Sequence, residues 1–178
     1  MKLANTLLTL TLLIPAIFSS PTPNSKRDLA EYSGIITGLT DATNEFSSSI
    51  SEYSSGTISG YDLLTYADDL LNAYIDTPSE INSLPSLSVS DALGLVNAFI
   101  ALQEATANMI DNLISVKPNL VADMLDNEFL TWLGNLRGEM ERLRDAIVDK
   151  TPSPLKDIVY SLLDTIPAEG AKMHHFSQ

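Results

Sequence analysis

Hydrophobic residues recur at alternating steps of three and four in the segment that follows Asp28. The stripe is formed by Leu29, Tyr32, Ile36, Leu39, Phe46, Ile50 and Tyr53, with Thr43 filling its one gap. This spacing places all eight side chains on one face of a helix spanning residues 29–53. The Ser- and Gly-rich stretch 54–60 then predicts a polar connector.

A second helix is predicted after this connector. Ser59 stands three residues before Asp62, which is a capping-box pattern. The apolar face that follows carries Leu64, Ala67, Leu71 and Tyr74. Thr77-Pro78 resembles a new cap with proline at the first helical position, so we expect the helix to end there and a short turn to begin.

The rest of the chain shows the same periodicity, interrupted by proline. Ser88 and Asp91 repeat the capping pattern and predict one long helix over 89–114, which Lys117-Pro118 ends. A short helix is expected over 120–125, a long one over 129–147 and a last one over 155–166, with a break at 151–154. No segment alternates with a period of two. The pattern therefore predicts an all-α, single-domain bundle of five or six amphipathic helices over residues 28–167, with a flexible tail at 168–178.

The N-terminal segment reads as a targeting sequence. Lys2 precedes a short apolar run over 7–18 and small residues at the end of that run, which predicts a signal peptide over 1–19 cleaved after Ser19. Lys26-Arg27 reads as a dibasic processing site, which would make 20–27 a propeptide; the alternative is an exposed pair in a frayed terminus. The predicted localisation is secreted and extracellular, with cell-wall association open.

Charge and cysteine content exclude two classes of protein. The 178 residues include 23 acids, 10 bases and no cysteine, giving a net charge of −13. Removing residues 1–27 takes away three bases and no acid, so the net charge becomes −16. Such acidity argues against binding nucleic acid, and the absence of cysteine excludes a disulfide framework.

Catalytic patterns are absent from the sequence. The only histidines, His174 and His175, lie in the tail, and there is no Gly-x-Ser-x-Gly elbow. Asp68 and Asp69 are neighbours on a helix and point about 100° apart, so they do not form a dyad. We therefore expect no enzyme activity, no catalytic residue, no metal site and no cofactor.

Glycines inside predicted helices are the first unusual feature. They are Gly34, Gly38, Gly94, Gly134 and Gly138. Each costs roughly 1 kcal/mol relative to alanine. We expect either close helix–helix approach, which is favoured, or room left for a ligand.

Polar residues on apolar stripes are the second unusual feature. Thr43 and Gln103 occupy stripe positions, where a buried polar group needs a partner. A bond to a nearby carbonyl, or a register-setting pair, is the simpler interpretation. The head of an amphipathic ligand is the alternative. Large aromatic and Met side chains occur on the same stripes. At helical spacing they normally form the core, but they also suit a lipid pocket. They are Phe99, Met109, Phe129, Trp132 and Met140.

These features together resemble the hydrophobic surface-binding and cell-wall galactomannoprotein family of filamentous fungi. The resemblance rests on the signal peptide, the helix over 29–53, the connector 54–60, the helix over 89–114, the Lys117-Pro118 break, the helix over 129–147 and the lack of cysteine. It implies a small secreted bundle. Some members adsorb to hydrophobic surfaces and help recruit esterases, whereas others bind long-chain fatty acids in a central cavity and are known antigens.

We therefore predict a non-enzymatic protein that binds a fatty acid or another amphipathic lipid in an apolar cavity between helices. The alternatives are a protein that adsorbs to hydrophobic surfaces and recruits a secreted esterase, and a secreted effector or antigen. No nucleic acid partner and no transmembrane segment are expected. The predicted ligand-binding residues are Ile36, Leu39, Thr43, Phe99, Gln103, Ile110, Phe129, Trp132, Leu136 and Met140, with Thr43 or Gln103 meeting the head.

Overall fold

The computed structural model describes the backbone of residues 23–164 and the side chains from residue 28 onward. Three predictions lie outside these residues: the signal peptide with its cleavage at Ser19, the end of the last helix beyond residue 164, and the tail at 168–178.

Residues 23–164 form helices joined by short connectors and contain no strand, which confirms the all-α prediction. The α-helices in chain order are α1 (Pro23–Ser54), α2 (Gly60–Ser83), α3 (Val89–Gly94), α4 (Val96–Ser115), α5 (Lys117–Ala122), α6 (Asp126–Lys150) and α7 (Lys156–Leu163). A single 3₁₀ turn, Ser153–Leu155, precedes α7.

Two of the three predicted N-caps are confirmed. The Ser59 hydroxyl accepts a hydrogen bond from the Asp62 amide (3.2 Å), and the Asp62 carboxylate accepts one from the Ser59 amide (2.9 Å). The Ser59 hydroxyl, at 2.7 Å, and the Ser59 amide both donate to the Asp62 carboxylate and lower its pKa below the usual value. Ser88 caps α3 by accepting from the Asp91 amide at 3.1 Å. Each cap satisfies a backbone donor that the helix itself leaves unpaired.

The predicted break at Thr77-Pro78 is wrong, because α2 continues through Pro78 to Ser83. The Thr77 hydroxyl donates to the Ala73 carbonyl at 2.7 Å inside the helix instead of capping a new one. One turn further on, Ile81 is fully buried. Its burial in the core offsets the destabilisation that an interior proline brings to a helix.

The predicted helix over 89–114 is in fact two helices that meet at Leu95. Leu95 is fully buried, and its amide bonds to the Asp91 carbonyl, while its own carbonyl accepts from Phe99. Similarly, Pro118 does not only end α4. It occupies the first turn of α5, where a proline needs no amide hydrogen.

The long helices pack in an arrangement that buries their apolar stripes. Helix α1 lies against both α4 and α2, and α2 lies against α6. The short helix α7 contacts both α6 and α4. Arg144 of α6 fixes it by bonding to Asp164 at 2.7 Å and by stacking 4.6 Å from the ring centre of Tyr160.

The expectation of close helix contact at the glycines is wrong for four of the five. Gly34, Gly38, Gly134 and Gly138 are exposed, and a Cβ atom on any of them would find nothing within 4 Å. Gly94 alone meets a neighbour, the Leu29 side chain at 3.2 Å. Four glycines therefore make no room in the interior; Gly134 and Gly138 line a shallow surface groove of about 300 Å³.

Hydrogen bonds between distant segments tie the bundle together. The Tyr32 hydroxyl donates to the Pro85 carbonyl at 2.8 Å. The Lys150 ammonium, at the end of α6, donates to the carbonyls of Asn82 (2.9 Å) and Leu84 (2.6 Å). The loop between α2 and α3 is thereby fastened to both α1 and α6.

Candidate functional site

All ten predicted ligand-binding residues lie in the interior of the bundle. Their relative exposures run from 0% to 8%. The eight apolar ones belong to one continuous core cluster. Helix α1 supplies Ile36, Leu39 and Thr43; α4 supplies Phe99, Gln103 and Ile110; and α6 supplies Phe129, Trp132, Leu136 and Met140. The fold thus brings them together, while their contact with a ligand stays a prediction.

Trp132 is held in place on several sides. Its ring centre lies 5.0 Å from that of Phe46 and 6.1 Å from that of Phe129. Its indole nitrogen donates to the Ala67 carbonyl of α2 at 2.7 Å. A buried Trp N–H needs such a partner. The single tryptophan of the chain therefore reports on the packing of α1, α2 and α6 at once.

A cluster of hydroxyl groups interrupts the apolar interior where α1, α2 and α4 meet. Thr43, Tyr74 and Thr106 are all fully buried. Thr43 Oγ1 donates to the Leu39 carbonyl (2.7 Å) and lies 3.4 Å from the Tyr74 hydroxyl. Burial raises the pKa of Tyr74, although side-chain hydrogen bonds with Thr43 and Thr106 oppose that shift.

Gln103 lies one helical turn before Thr106 and differs from this cluster in one respect. Its side-chain oxygen Oε1 has no hydrogen-bond partner, and it is the one such buried side-chain atom among residues 28–164. The residue is 8% exposed. An unpartnered buried acceptor is unfavourable and is rare in folded proteins. The site therefore contains a polar atom that a bound molecule would satisfy.

Thr43 fits the simpler interpretation, which is a hydrogen bond to a nearby carbonyl. For Gln103, contact with the head of an amphipathic ligand stays a prediction. Thr43 pairs with the carbonyl four residues earlier, as many helical threonines do. Gln103 Oε1 finds no donor. The two stripe residues are thus alike in the sequence but differ in the fold.

Sequence reasoning missed two members of the polar cluster, Tyr74 and Thr106. Tyr74 stood on the apolar stripe of α2, and its hydroxyl, once buried, required a partner from another helix. Thr106 follows Gln103 by three residues and therefore shares its face. The spacing in the sequence indicates the positions of both residues, but their hydroxyl groups come together only when α1, α2 and α4 pack.

The predicted processing pair, Lys26-Arg27, lies in the first turns of α1. The helix begins at Pro23, so the backbone around the pair is helical. Processing at Arg27 remains a prediction, and it would require these turns to unwind.

One end of the bundle exposes large apolar side chains. A cleft of about 670 Å³ lies between the α1–α2 connector and α5. Tyr61 lines this cleft and is 76% exposed. Met124, just beyond α5, is 81% exposed and has a positive φ of 58°. Met124 and Leu125 close α5 with bonds to Val121 (3.1 Å) and Leu120 (2.8 Å), a Schellman motif in which glycine is the usual residue.

The helices between residues 23 and 164 are either too short or too polar to span a bilayer. Within that part of the chain, no three His, Asp or Glu side chains gather in a group able to hold a metal ion.

Comparison with known proteins decides the family. Residues 29–149 match the family described as "Hydrophobic surface binding protein A". The chain belongs to this family. It is also similar to Cell wall mannoprotein 1 of Aspergillus flavus, with 28% identity over 141 residues that cover 79% of this chain and 51% of the relative. The chain thus spans about half the length of that relative.

Solved structures of this family's fold resemble the bundle closely. Ligand binding domain 2 of the Penicillium marneffei MP1 protein, complexed with multiple arachidonic acids, is 26% identical with a TM-score of 0.74, over 80% of this chain and 91% of that one. Ligand binding domain 1 of the same protein, also complexed with arachidonic acids, gives a TM-score of 0.77 over 85% and 99% of the two chains. At 22% identity, that second likeness concerns the fold alone.

Proposed function

We propose that this chain is a secreted, non-enzymatic carrier that holds the acyl chain of a long-chain fatty acid between α1, α2, α4 and α6. The observation that carries the proposal is the unpartnered Gln103 Oε1, on the same helix as Thr106 and one turn before it, in a mostly apolar interior. The related domains that bind arachidonic acid support it. These relatives are described by ligand binding and wall location, not by an enzyme activity.

The acyl chain would run along the apolar side chains on either side of the polar cluster. Ile36 and Leu39 lie on the α1 side, and Leu136 and Met140 lie on the α6 side. These residues pack tightly in the described structure, so entry requires them to separate. Flexible side chains such as that of Met140 can rearrange around a bound acyl chain at small energetic cost.

Binding would be detected as co-purified lipid and as stabilisation. Native mass spectrometry of the secreted protein should show a mass increase equal to a fatty acid. After removal of the lipid, titration with palmitic acid should change the fluorescence of Trp132 and raise the free energy of unfolding. At a free ligand concentration one hundred times Kd, the expected gain is about 2.7 kcal/mol. An empty protein with unchanged fluorescence and unchanged stability would refute the proposal.

A matched pair of threonines tests the position of the head. Thr40 and Thr43 both donate to the carbonyl four residues earlier, but only Thr43 approaches Tyr74. Thr43→Val should weaken palmitic acid binding several-fold, whereas Thr40→Val should leave it unchanged. Equal effects of the two substitutions would place the head elsewhere.

A second candidate function, adsorption to hydrophobic surfaces, is favoured by the exposed end of the bundle. Tyr61 and Met124 present apolar area there without unfolding of the core. Replacing both by serine should reduce retention on polyester beads, and Tyr66→Ser, at another exposed tyrosine of α2, serves as the control. Equal retention of both variants would argue against this surface. We propose an extracellular or wall-associated location for either function, and a secreted esterase as a partner on such a surface.

A further inference from the structure

The hydroxyl groups of the buried cluster already use their hydrogens within the protein. Thr43 donates to the Leu39 carbonyl at 2.7 Å, and Thr106 donates to the Leu102 carbonyl at 2.8 Å. Because the Thr43 hydrogen is committed, the contact between Thr43 and Tyr74 uses the hydrogen of Tyr74. The amide oxygen of Gln103, Oε1, is the buried side-chain atom of the described residues that has no partner, so it can accept a hydrogen bond from a ligand.

The interior offers no positive charge to a carboxylate. Among the described side chains, no Lys, Arg or His is buried, and the buried charged residue is an acid, Asp91. The chain as a whole carries a formal charge of −13. Moving an ionised carboxylate from water into such a site is strongly unfavourable, because no buried cation compensates for its lost hydration.

An amide and an uncharged carboxylic acid are complementary. A primary amide has an acceptor oxygen and N–H donors on one edge, and a protonated acid has an O–H donor and a carbonyl acceptor on one edge. The acid's O–H can donate to Gln103 Oε1 while its carbonyl accepts from Nε2. An ionised carboxylate has no hydrogen to give, so it would leave Oε1 unpaired and buried.

We infer that Gln103 selects lipids with an uncharged head that both donates and accepts a hydrogen bond, namely the protonated fatty acid and its neutral analogues. This inference rests on the proposed lipid-binding function and names the head chemistry of that site. A fatty acid, which is ionised in neutral solution, would have to take up a proton to bind, whereas a permanently neutral primary amide would bind without that requirement.

The test compares three lipids of equal chain length against the full secreted chain at neutral pH. Lauric acid is almost wholly ionised there, lauramide is neutral with a donor and an acceptor, and methyl laurate is neutral but only accepts. We expect lauramide to bind at least tenfold more tightly than lauric acid, and more tightly than methyl laurate, as measured by calorimetry or Trp132 fluorescence.

Variants assign the effect to the residue. Gln103→Leu should reduce the preference for lauramide over methyl laurate to less than about twofold. It removes an unpaired polar group, so the bundle should still fold. Asn108→Leu, at an exposed position of the same helix, should keep the full preference.

Each failure has its own meaning. Lauric acid binding as tightly as lauramide would overturn the inference and leave the lipid-binding function standing. A lauramide preference that survives in Gln103→Leu would overturn the role of Gln103. Binding of none of the three lipids would overturn the inference, and failure of palmitic acid to bind as well would overturn the proposed function.

Discussion

Replacing the four exposed helical glycines by alanine should stabilise the protein. Gly34 and Gly38 lie in α1, and Gly134 and Gly138 lie in α6. All four are exposed, and an added Cβ atom would find open space within 4 Å. The substitution therefore restricts the unfolded chain without creating a clash in the folded one.

The expected gain follows from helix propensity. Each exchange is worth roughly 0.5–1 kcal/mol in a helix interior. The two pairs lie on different helices with no neighbour in common at the new methyl groups, so their effects should add to roughly 2–4 kcal/mol. For a chain of this size, each kcal/mol raises Tm by about 2–4 °C.

Urea and thermal unfolding followed by far-ultraviolet circular dichroism would measure the change. Two single variants provide controls. Gly94→Ala should gain less, because the new methyl group meets Leu29 at 3.2 Å. Gly56→Ala should lose about 1 kcal/mol, because Gly56 has a φ of 75°. A quadruple variant no more stable than the parent would show that these helix faces are not open in solution.

Three further substitutions or conditions give separate expectations. Met124→Gly should raise the free energy of unfolding by about 1 kcal/mol, since the left-handed backbone at φ 58° strains any side chain, and an unchanged urea midpoint would contradict this. Trp132→Phe should destabilise by roughly 1–3 kcal/mol in circular dichroism unfolding, because the Ala67 carbonyl loses its indole donor while most of the ring packing stays; a neutral effect would mean that this bond adds nothing. Burial raises the pKa of both Tyr32 and Tyr53 from 10 to about 12, with the Asp28 charge adding to the shift for Tyr32 and the Asp123 hydrogen bond adding to it for Tyr53. The unfolded chain then ionises first, so the urea midpoint should fall as the pH rises from 10 to 12 and stay level near neutrality; a flat profile would refute the assignment.

The parts of the fold that follow from local pattern could be predicted from the sequence. The stripe from Leu29 to Tyr53 and the caps at Ser59 and Ser88 depend on spacing and on hydrogen bonds within a few residues, and the structure confirms them. The predicted break at Pro78 failed because burial of Ile81, a tertiary contact, outweighs the local signal.

The candidate site divides in the same way. Gln103 could be singled out because it is a polar residue on an apolar stripe. The unpaired state of its oxygen, and the contact between Thr43 and Tyr74, depend on how α1, α2 and α4 are arranged. The exposed glycines were misassigned because spacing gives the face of a helix only relative to its own stripe, not the contacts that the neighbouring helices make with it.

The hydrogen bonds between distant segments have a consequence for how the chain refolds. Tyr32 with Pro85, and Lys150 with Asn82 and Leu84, join segments separated by 53 to 68 residues through hydrogen bonds, in a chain that has no cysteine. These hydrogen bonds form again whenever the chain refolds. Unlike disulfide bonds, they need neither an oxidant nor a disulfide isomerase. Thiol reductants should leave the bundle intact, and recovery after heating should proceed without the slow reshuffling that disulfide-linked secreted proteins undergo.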